Sequence, residues 1–381
     1  MLHRLAWYQL VSEKRRLMAA LAGIAFAVLL QLMQFGFRDA LFTSATILHS
    51  RLRGELVITS TQYEYLLSPG TVTRRRLAQA LAVPGVAGAA PLYIGGASFK
   101  NIGNLEDRRI LVIAFSPDDA PLDAPSIEAE VHKIRIPDVV LFDERGRDEF
   151  GPVSERVRVD GSVVTEVGGR RMTVGGLFQM GVSFAANGHL LMSDATFRSL
   201  SGRPEGVFEF AVVRLTPGAD VAATRAALIA ALPHDVQVHT RPEFMAIEQA
   251  FWDKSSPIGF IFLMGTFIGL LVGAVIVYQI LYTDVSDHLG EYATLKAMGY
   301  SDHHFYYVVL EEALILSVAG FPFGYVFALA LYSVASDVTH LPIAMTSSRA
   351  LMVFALTVVM CAVSGIMATR KLRAADPAEV F

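Results

Sequence analysis

Three groups of residues carry types that could do chemistry. Gly181-Val-Ser-Phe-Ala185 approaches the GxSxG turn that exposes a nucleophilic serine, but it ends in alanine and lies between β-like runs. The nucleophile elbow needs a strand-to-helix setting, so a plain turn is the simpler reading. His288, His303 and His304 flank a short polar segment and are candidate metal ligands. They show neither HExxH spacing nor a cysteine companion, and interfacial polar roles fit them better. Glu311 and Glu312 stand early in an apolar run, where a carboxylate needs a partner, water or a proton. A partner such as Lys296 is the structural reading; a proton or substrate path is the functional one. Adjacent helical residues point about 100° apart, so one of the two faces the bundle. The sequence contains no Gly-Lys dipeptide, hence no GxxxxGK[ST] loop to cradle phosphates. Any ATP-driven work must draw on a separate ATPase.

The elements that position these residues are set by hydropathy. The chain has 381 residues with mean hydropathy +0.45, and its apolar residues concentrate in four places. These are 17–37, 258–282, 306–332 and 350–369, each matching the ~20 residues a helix needs to cross about 30 Å of hydrocarbon. A signal peptide competes for the first, since Lys14, Arg15 and Arg16 precede it, but a secretory apolar region runs only ~7–15 residues. The first run has 21 residues, which favours an uncleaved anchor. Arg4 and Lys14–Arg16 place the N-terminus in the cytoplasm, and Arg370, Lys371 and Arg373 place the C-terminus there too. Four spans then put 38–257 and the short loop 333–349 outside, and 283–305 and the tail 370–381 inside. The predicted class is an α-helical membrane protein with a large mixed α/β extracytoplasmic domain. Cys361, the sole cysteine, lies in the fourth span, so no intrachain disulfide supports that domain. A net charge of −4 argues against a nucleic-acid partner.

In the outer region, Glu55–Thr59, Ile110–Phe115, Val139–Phe142 and Phe208–Val213 read as strands. Helical patterns cover 71–82, 219–232 and 241–253. Val157–Val164 reads as a hairpin about Asp160-Gly161. A β-rich centre between α/β ends suggests a subdomain inserted at about 100–205. Trp252, just before the second span, suits a membrane interface.

The polar interlude Thr283–Asp302 predicts a short helix held at the cytoplasmic face. Asp287 can cap it, Tyr292, Leu295 and Met298 share a face, and Gly299 can end it. Leu289, Glu291, Lys296 and Tyr300 complete this candidate docking surface. Gly265, Gly269 and Gly273 repeat the small-xxx-small spacing that lets helices approach closely. Packing within the chain and packing across a homodimer both satisfy it. Pro322, in Gly320–Gly324, predicts a kink or hinge in the third span. Residues 1–16 combine apolar and basic types, as an interfacial helix does.

One span, a large outer domain and three further spans, with Glu291–Tyr300 between the second and third and a tail Arg373–Glu379, resemble the MacB/FtsX-type ABC permeases. Gly36–Leu41, Ser256–Phe260, Tyr278–Asp284 and Leu341–Met345 look like the DevC subfamily, permeases of heterocyst glycolipid-type exporters. The resemblance implies a bacterial inner-membrane permease homodimer with Porter- and Sabre-like outer subdomains. It implies a DevA- or MacB-like ATPase that binds the ATP and magnesium, the permease itself holding no cofactor. A DevB- or HlyD-like membrane-fusion adaptor and a TolC-like channel would complete the path. Work would pass by mechanotransmission, expelling a lipid or other amphiphile from the periplasmic side. The rival classes are an FtsX-like regulator that activates a cell-wall hydrolase and a membrane-anchored enzyme, for which the sequence shows no convergent constellation.

Overall fold

Ile110-Leu-Val-Ile-Ala-Phe115 is apolar at every position because its strand is buried on both faces. Ile110, Val112 and Ala114 enter one core layer, while Leu111, Ile113 and Phe115 enter the other. The same period of two divides Ala211 and Val213 from Phe210 and Val212. These facts come from a computed structural model that describes residues 14–184, 186–288, 290, 294, 298 and 302–369. The chain forms two units: Leu41–Pro257 with His340–Pro342, and the apolar helices.

The strands of the outer unit are β1 (Leu56–Ser60), β2 (Val72–Thr73), β3 (Val86–Lys100), β4 (Asp107–Phe115), β5 (Val139–Asp143) and β6 (Val163–Val167). They continue as β7 (Arg170–Phe178), β8 (His189–Ser193), β9 (Val207–Phe208), β10 (Phe210–Leu215) and β11 (Val236–Thr240). Nine of them form a mixed sheet in the order β11-β1-β10-β3-β4-β8-β5-β7-β6, and β2 pairs with β9. A further pairing of Phe99 with Val167 joins β3 to β6, so the run from β3 to β6 closes on itself. Closure removes the free edges that an open sheet would leave.

Near the boundary expected at about residue 100 there is no break in the strand. β3 is continuous: up to Leu92 it pairs with β10, and from Tyr93 it pairs with β4. The second sheet region therefore begins inside a strand, and the joint between the two regions is as stiff as the strand itself. The hairpin expected at 157–164 is corrected. Val153–Asp160 is a helix, and Gly161, at φ +77°, is its left-handed C-cap. The tight hairpin lies one element later, between β6 and β7, where Gly168 and Gly169 both have positive φ.

The helix Arg241–Ala250 begins in a capping box, with Thr240 Oγ1 accepting from the Glu243 N–H and the Glu243 carboxylate accepting from the Thr240 N–H. Its inward Phe244 packs on Phe210 with ring centroids 5.2 Å apart. It runs into a turn at Phe251–Ser255 that ends just before Pro257.

Four helices are long and apolar enough to cross a membrane: Lys14–Ala45, Pro257–Asp287, Tyr306–Thr339 and Ser347–Ala368. They are called spans 1 to 4. Ile24, Val28, Leu281, Leu316, Val353 and Cys361 are among the residues of their shared core. Gly265, Gly269 and Gly273 face Gln34, Leu30 and Ala27 of span 1, Gly273 also meeting Met360 of span 4. The small-residue stripe is thus filled by helices of the same chain rather than left open to a second copy. Gly320 and Gly324 admit Ile24 and Val28 in the same way, and the helix runs on through Pro322.

Phe210 has no exposure and anchors the layer that holds Phe244. Phe210→Ala is expected to cost about 3–5 kcal/mol of stability. Denaturant unfolding of the full chain in detergent, followed by Trp252 emission, should show the outer unit's midpoint falling accordingly.

Candidate functional site

The outer unit joins the membrane helices through two stretches of chain, one after span 1 and one before span 2. The first includes the short helix Ile47–Ser50; the second is Arg241–Ser255. A buried polar cluster ties them together. Glu248, with no exposed side chain, accepts through Oε2 from the Leu66 N–H at 2.8 Å and the Tyr63 hydroxyl at 3.1 Å. Its Oε1 accepts from Trp252 Nε1 at 3.0 Å. His49 Nε2 lies 3.2 Å from the same Tyr63 oxygen and 3.6 Å from Glu248 Oε2. Phe244 stacks at a tilt against both the His49 and Tyr63 rings. One turn of helix brings Phe244, Glu248 and Trp252 to one face, which is the periodicity that makes the cluster.

Burial sets the charges here. Desolvation pulls the His49 imidazole down to about 3, so it is neutral at ordinary pH. The contact with Glu248 is therefore carboxylate against neutral ring, not an ion pair. Burial raises Glu248 above the usual carboxylate range, against the opposing pull of its bonds from Trp252, Leu66 and Tyr63. Burial, and then the charge and hydrogen bond of Glu248, hold the Tyr63 phenol well above its ordinary value.

The membrane unit has its own cross-tie. Arg349, only 6% exposed, donates to Asp39 at 2.6 Å, to Ala344 O at 2.7 Å and to the Tyr332 hydroxyl at 3.3 Å. The Tyr332 hydroxyl in turn donates to Leu32 O, and Gly36 leaves the room this phenol occupies. Spans 1, 3 and 4 are joined at one point, and residues from Gly36–Leu41 and Leu341–Met345 meet there. At the opposite ends of spans 1 and 2, Arg16 pairs with Asp287.

That pair corrects the role expected of Asp287. It is the last residue of the span 2 helix, which propagates through Thr283 and Ser286 as their hydroxyls bond back to Gln279 O and Tyr282 O. Of the candidate docking residues, Met298 is 64% exposed, and its N–H bonds to Thr294 O at 3.1 Å in helical spacing. Leu289, Glu291, Tyr292, Leu295, Lys296, Gly299 and Tyr300 lie outside the described residues. Glu312 is fully buried and Glu311 half-buried, so the pair divides as helical geometry requires. Both Glu312 carboxylate oxygens lack a hydrogen-bond partner among the described residues.

The chemical candidates do not assemble. No group of His, Cys, Asp and Glu able to hold a metal exists among the described residues. An Asp–His pair does occur, with His189 Nδ1 at 3.0 Å from Asp143 Oδ2. Yet Asp143 also accepts from the N–H groups of Met180, Gly181 and Arg145, which makes it the anchor of the loop before β8. His189 Nε2 is buried without a hydrogen-bond partner among the described residues, so none of their hydroxyls is aligned on it. Sequence reasoning missed this pair and the Glu248 cluster, although Glu248 spaced four residues from both Phe244 and Trp252 was a visible signal.

Fold and site together define a membrane protein with four candidate spans and a mixed α/β domain. Residues 17–231 match the MacB-like periplasmic core domain, and residues 261–377 match the FtsX-like permease C-terminal family. The chain belongs to the MacB/FtsX-type permease family, the permease component of ABC-type systems, which normally works with an ATPase partner. No curated protein matches it significantly. Similar solved structures include the periplasmic region of MacB from Actinobacillus actinomycetemcomitans, at 10% identity and TM-score 0.36, covering 51% of this chain and 92% of that one. The extracellular domain of the noncanonic ABC-type transporter YknZ from Gram-positive bacteria is 12% identical with TM-score 0.33, covering 49% and 98%. A domain of a putative permease from Porphyromonas gingivalis is 16% identical with TM-score 0.32, covering 50% and 90%.

Two outcomes are expected at the Glu248 cluster. Glu248→Gln gives three buried donors only one acceptor oxygen, so at least one is orphaned at a cost of about 1–3 kcal/mol. A lower melting temperature with altered Trp252 emission would register it. For His49, the folded value of about 3 lies below the ordinary 6.5, so the unfolded chain binds the extra proton between those values. This contribution to stability is complete above pH 6.5 and is lost as pH falls toward 3. Glu248 acts in the opposite sense, contributing below its ordinary value of 4.5 and losing that contribution as pH rises through its raised one. The melting temperature should fall on acidification from pH 7 to 4, and fall less in His49→Gln, which thermal melts across that range would test.

Proposed function

We propose that this chain is the permease subunit of a tripartite exporter of the DevC type. It works as a homodimer in the bacterial inner membrane with both ends in the cytoplasm and the outer domain in the periplasm. Two copies of a separate ATPase bind the ATP and magnesium. A membrane-fusion adaptor meets the outer domain and a TolC-like channel continues the path. The cargo is a lipid, glycolipid or other amphiphile, expelled by mechanotransmission.

The observation that carries this reading is the buried tie among His49, Tyr63, Glu248 and Trp252. It joins the stretch of chain leaving span 1 to the stretch entering span 2. A domain that only bound a partner could hang on flexible linkers. A domain that transmits work needs its two chain connections held at a fixed separation, and these are held by hydrogen bonds in a dry setting, where each is strong. The exposed Met298, on the segment between spans 2 and 3, supports a docking role there.

Purification of the chain from its native membrane in mild detergent, with mass spectrometry of its companions, tests the assignment. An ABC ATPase together with a membrane-fusion adaptor is expected; the ATPase with a cell-wall hydrolase and no adaptor would overturn the exporter in favour of a regulator. Within the exporter, Glu291→Lys should abolish permease-dependent stimulation of the ATPase while leaving the melting temperature unchanged. Unchanged stimulation would remove Glu291 from the coupling surface.

A further inference from the structure

A cavity of about 530 Å³ opens on one face of the outer unit, beside the turn that leads into span 2. Its size lies within the ~300–1,000 Å³ range of small-molecule sites. The floor is the β3–β4 pair, where Gly96 stands opposite Leu111. A side chain at Gly96 would meet nothing within 4 Å, so the floor is open by virtue of that residue. One wall is the loop carrying Tyr65 and Leu67, and the other is the loop carrying Phe184 and Asn187. Leu67 and Phe184, on facing walls, are 46% and 37% exposed and offer apolar surface to the cavity. Arg109 lines the same cavity, exposed, and pairs with no acid among the described residues.

Each wall is fixed by a buried carboxylate. Glu248 holds the first through the Leu66 N–H and the Tyr63 hydroxyl, and Asp143 holds the second through the N–H groups of Met180 and Gly181. Aromatic contacts continue the walls to the turn before span 2: Tyr65 stacks on Phe251 at 4.0 Å between centroids, and Phe184 meets Trp252 edge-on at 4.8 Å. A trough of mixed lining, with two exposed apolar side chains on preformed walls and one unpaired guanidinium, is matched by a molecule with one hydrocarbon chain and one anionic head.

We infer that this cavity binds a single-chain anionic amphiphile, its chain against Leu67 and Phe184 and its head on Arg109. The inference rests on the exporter reading and gives that exporter's outer domain a cargo site. The guanidinium favours a carboxylate or phosphate head because it offers paired N–H donors in a plane. A neutral chain of equal length keeps the apolar contacts and loses that pairing.

The protein supplies its own reporter. It contains two tryptophans, Trp7 and Trp252, so a Trp7→Phe chain emits only from beside the cavity. The full-length protein in nanodiscs of unbrominated lipid is titrated with a long-chain dibromo fatty acid and, separately, with the matching dibromo alcohol. Saturable quenching of Trp252 by the acid is expected. Gly96→Leu, which fills the floor, should weaken it at least tenfold, and so should Leu67→Glu, at an exposed position that cannot unfold the core. Gly96→Ala should retain it. Arg109→Gln should weaken binding of the acid about tenfold and leave the alcohol unchanged. Quenching that never saturates and is identical in Gly96→Leu and Leu67→Glu is partition into the disc, and overturns the site. Equal affinity for acid and alcohol in the unsubstituted cavity overturns the anionic specificity. Saturable binding without the adaptor among the purified companions would sink the exporter reading alone; adaptor present with unsaturable quenching would sink the cavity alone.

Discussion

The two stretches of chain that connect the outer domain are tied together by one carboxylate. Glu248 is buried without exposure and has no cationic partner among the described residues; three neutral donors from two segments fill its acceptor sites. Such a group is costly to desolvate and is retained only when its acceptor capacity is filled. The geometry is therefore all-or-none. If the loop at Tyr63–Leu66 or the turn at Trp252 moves away, buried polar atoms are left unsatisfied. That penalty, rather than the modest net strength of any one bond, is what holds the two chain connections together.

The membrane helices solve a similar problem with the opposite charge. Arg349 is nearly buried, but it is held by Asp39, the Tyr332 hydroxyl and a backbone carbonyl, so its donors are used. Around it the packing depends on missing side chains: Gly36 admits Tyr332, Gly273 admits Met360 and Ala27, and Gly324 admits Val28. Lipid offers little hydrophobic drive for helix association, so close backbone approach and satisfied polar groups must supply it. Arg16 with Asp287 and Arg349 with Asp39 bind spans near their ends, and between them Ser364 of span 4 donates to Ala274 O of span 2.

How much of this could be read from the sequence follows the range of the interaction. Spans and most strands were legible because hydropathy and period are local: Ile110–Phe115 of β4 is apolar at every position since both of its faces are covered there. The β3 strand was not, because Val86-Ala-Gly-Ala-Ala-Pro91 lacks the β-branched density of a strand and earns its pairing from β10. Gly161 was misread because a left-handed C-cap and a tight hairpin turn ask the same thing of a glycine. The functional contacts were beyond local pattern altogether. Tyr63 and Glu248 are separated by 185 positions and Asp39 and Arg349 by 310, and no motif announces either pair.

A domain without disulfides takes its stiffness from other sources. The closed run of strands from β3 to β6 supplies part of it, and the continuity of β3 carries that stiffness into the second sheet region. The Glu248 cluster supplies the rest at the point where the chain enters and leaves. Because the same carboxylate fixes a wall of the cavity, the position of the segment before span 2 and the shape of that wall are not independent variables. Linkage is reciprocal: a ligand that favours one wall position must favour the corresponding position of Trp252 and its turn by the same free energy. Occupancy of the cavity and the position of that turn, both within the outer unit, are therefore linked.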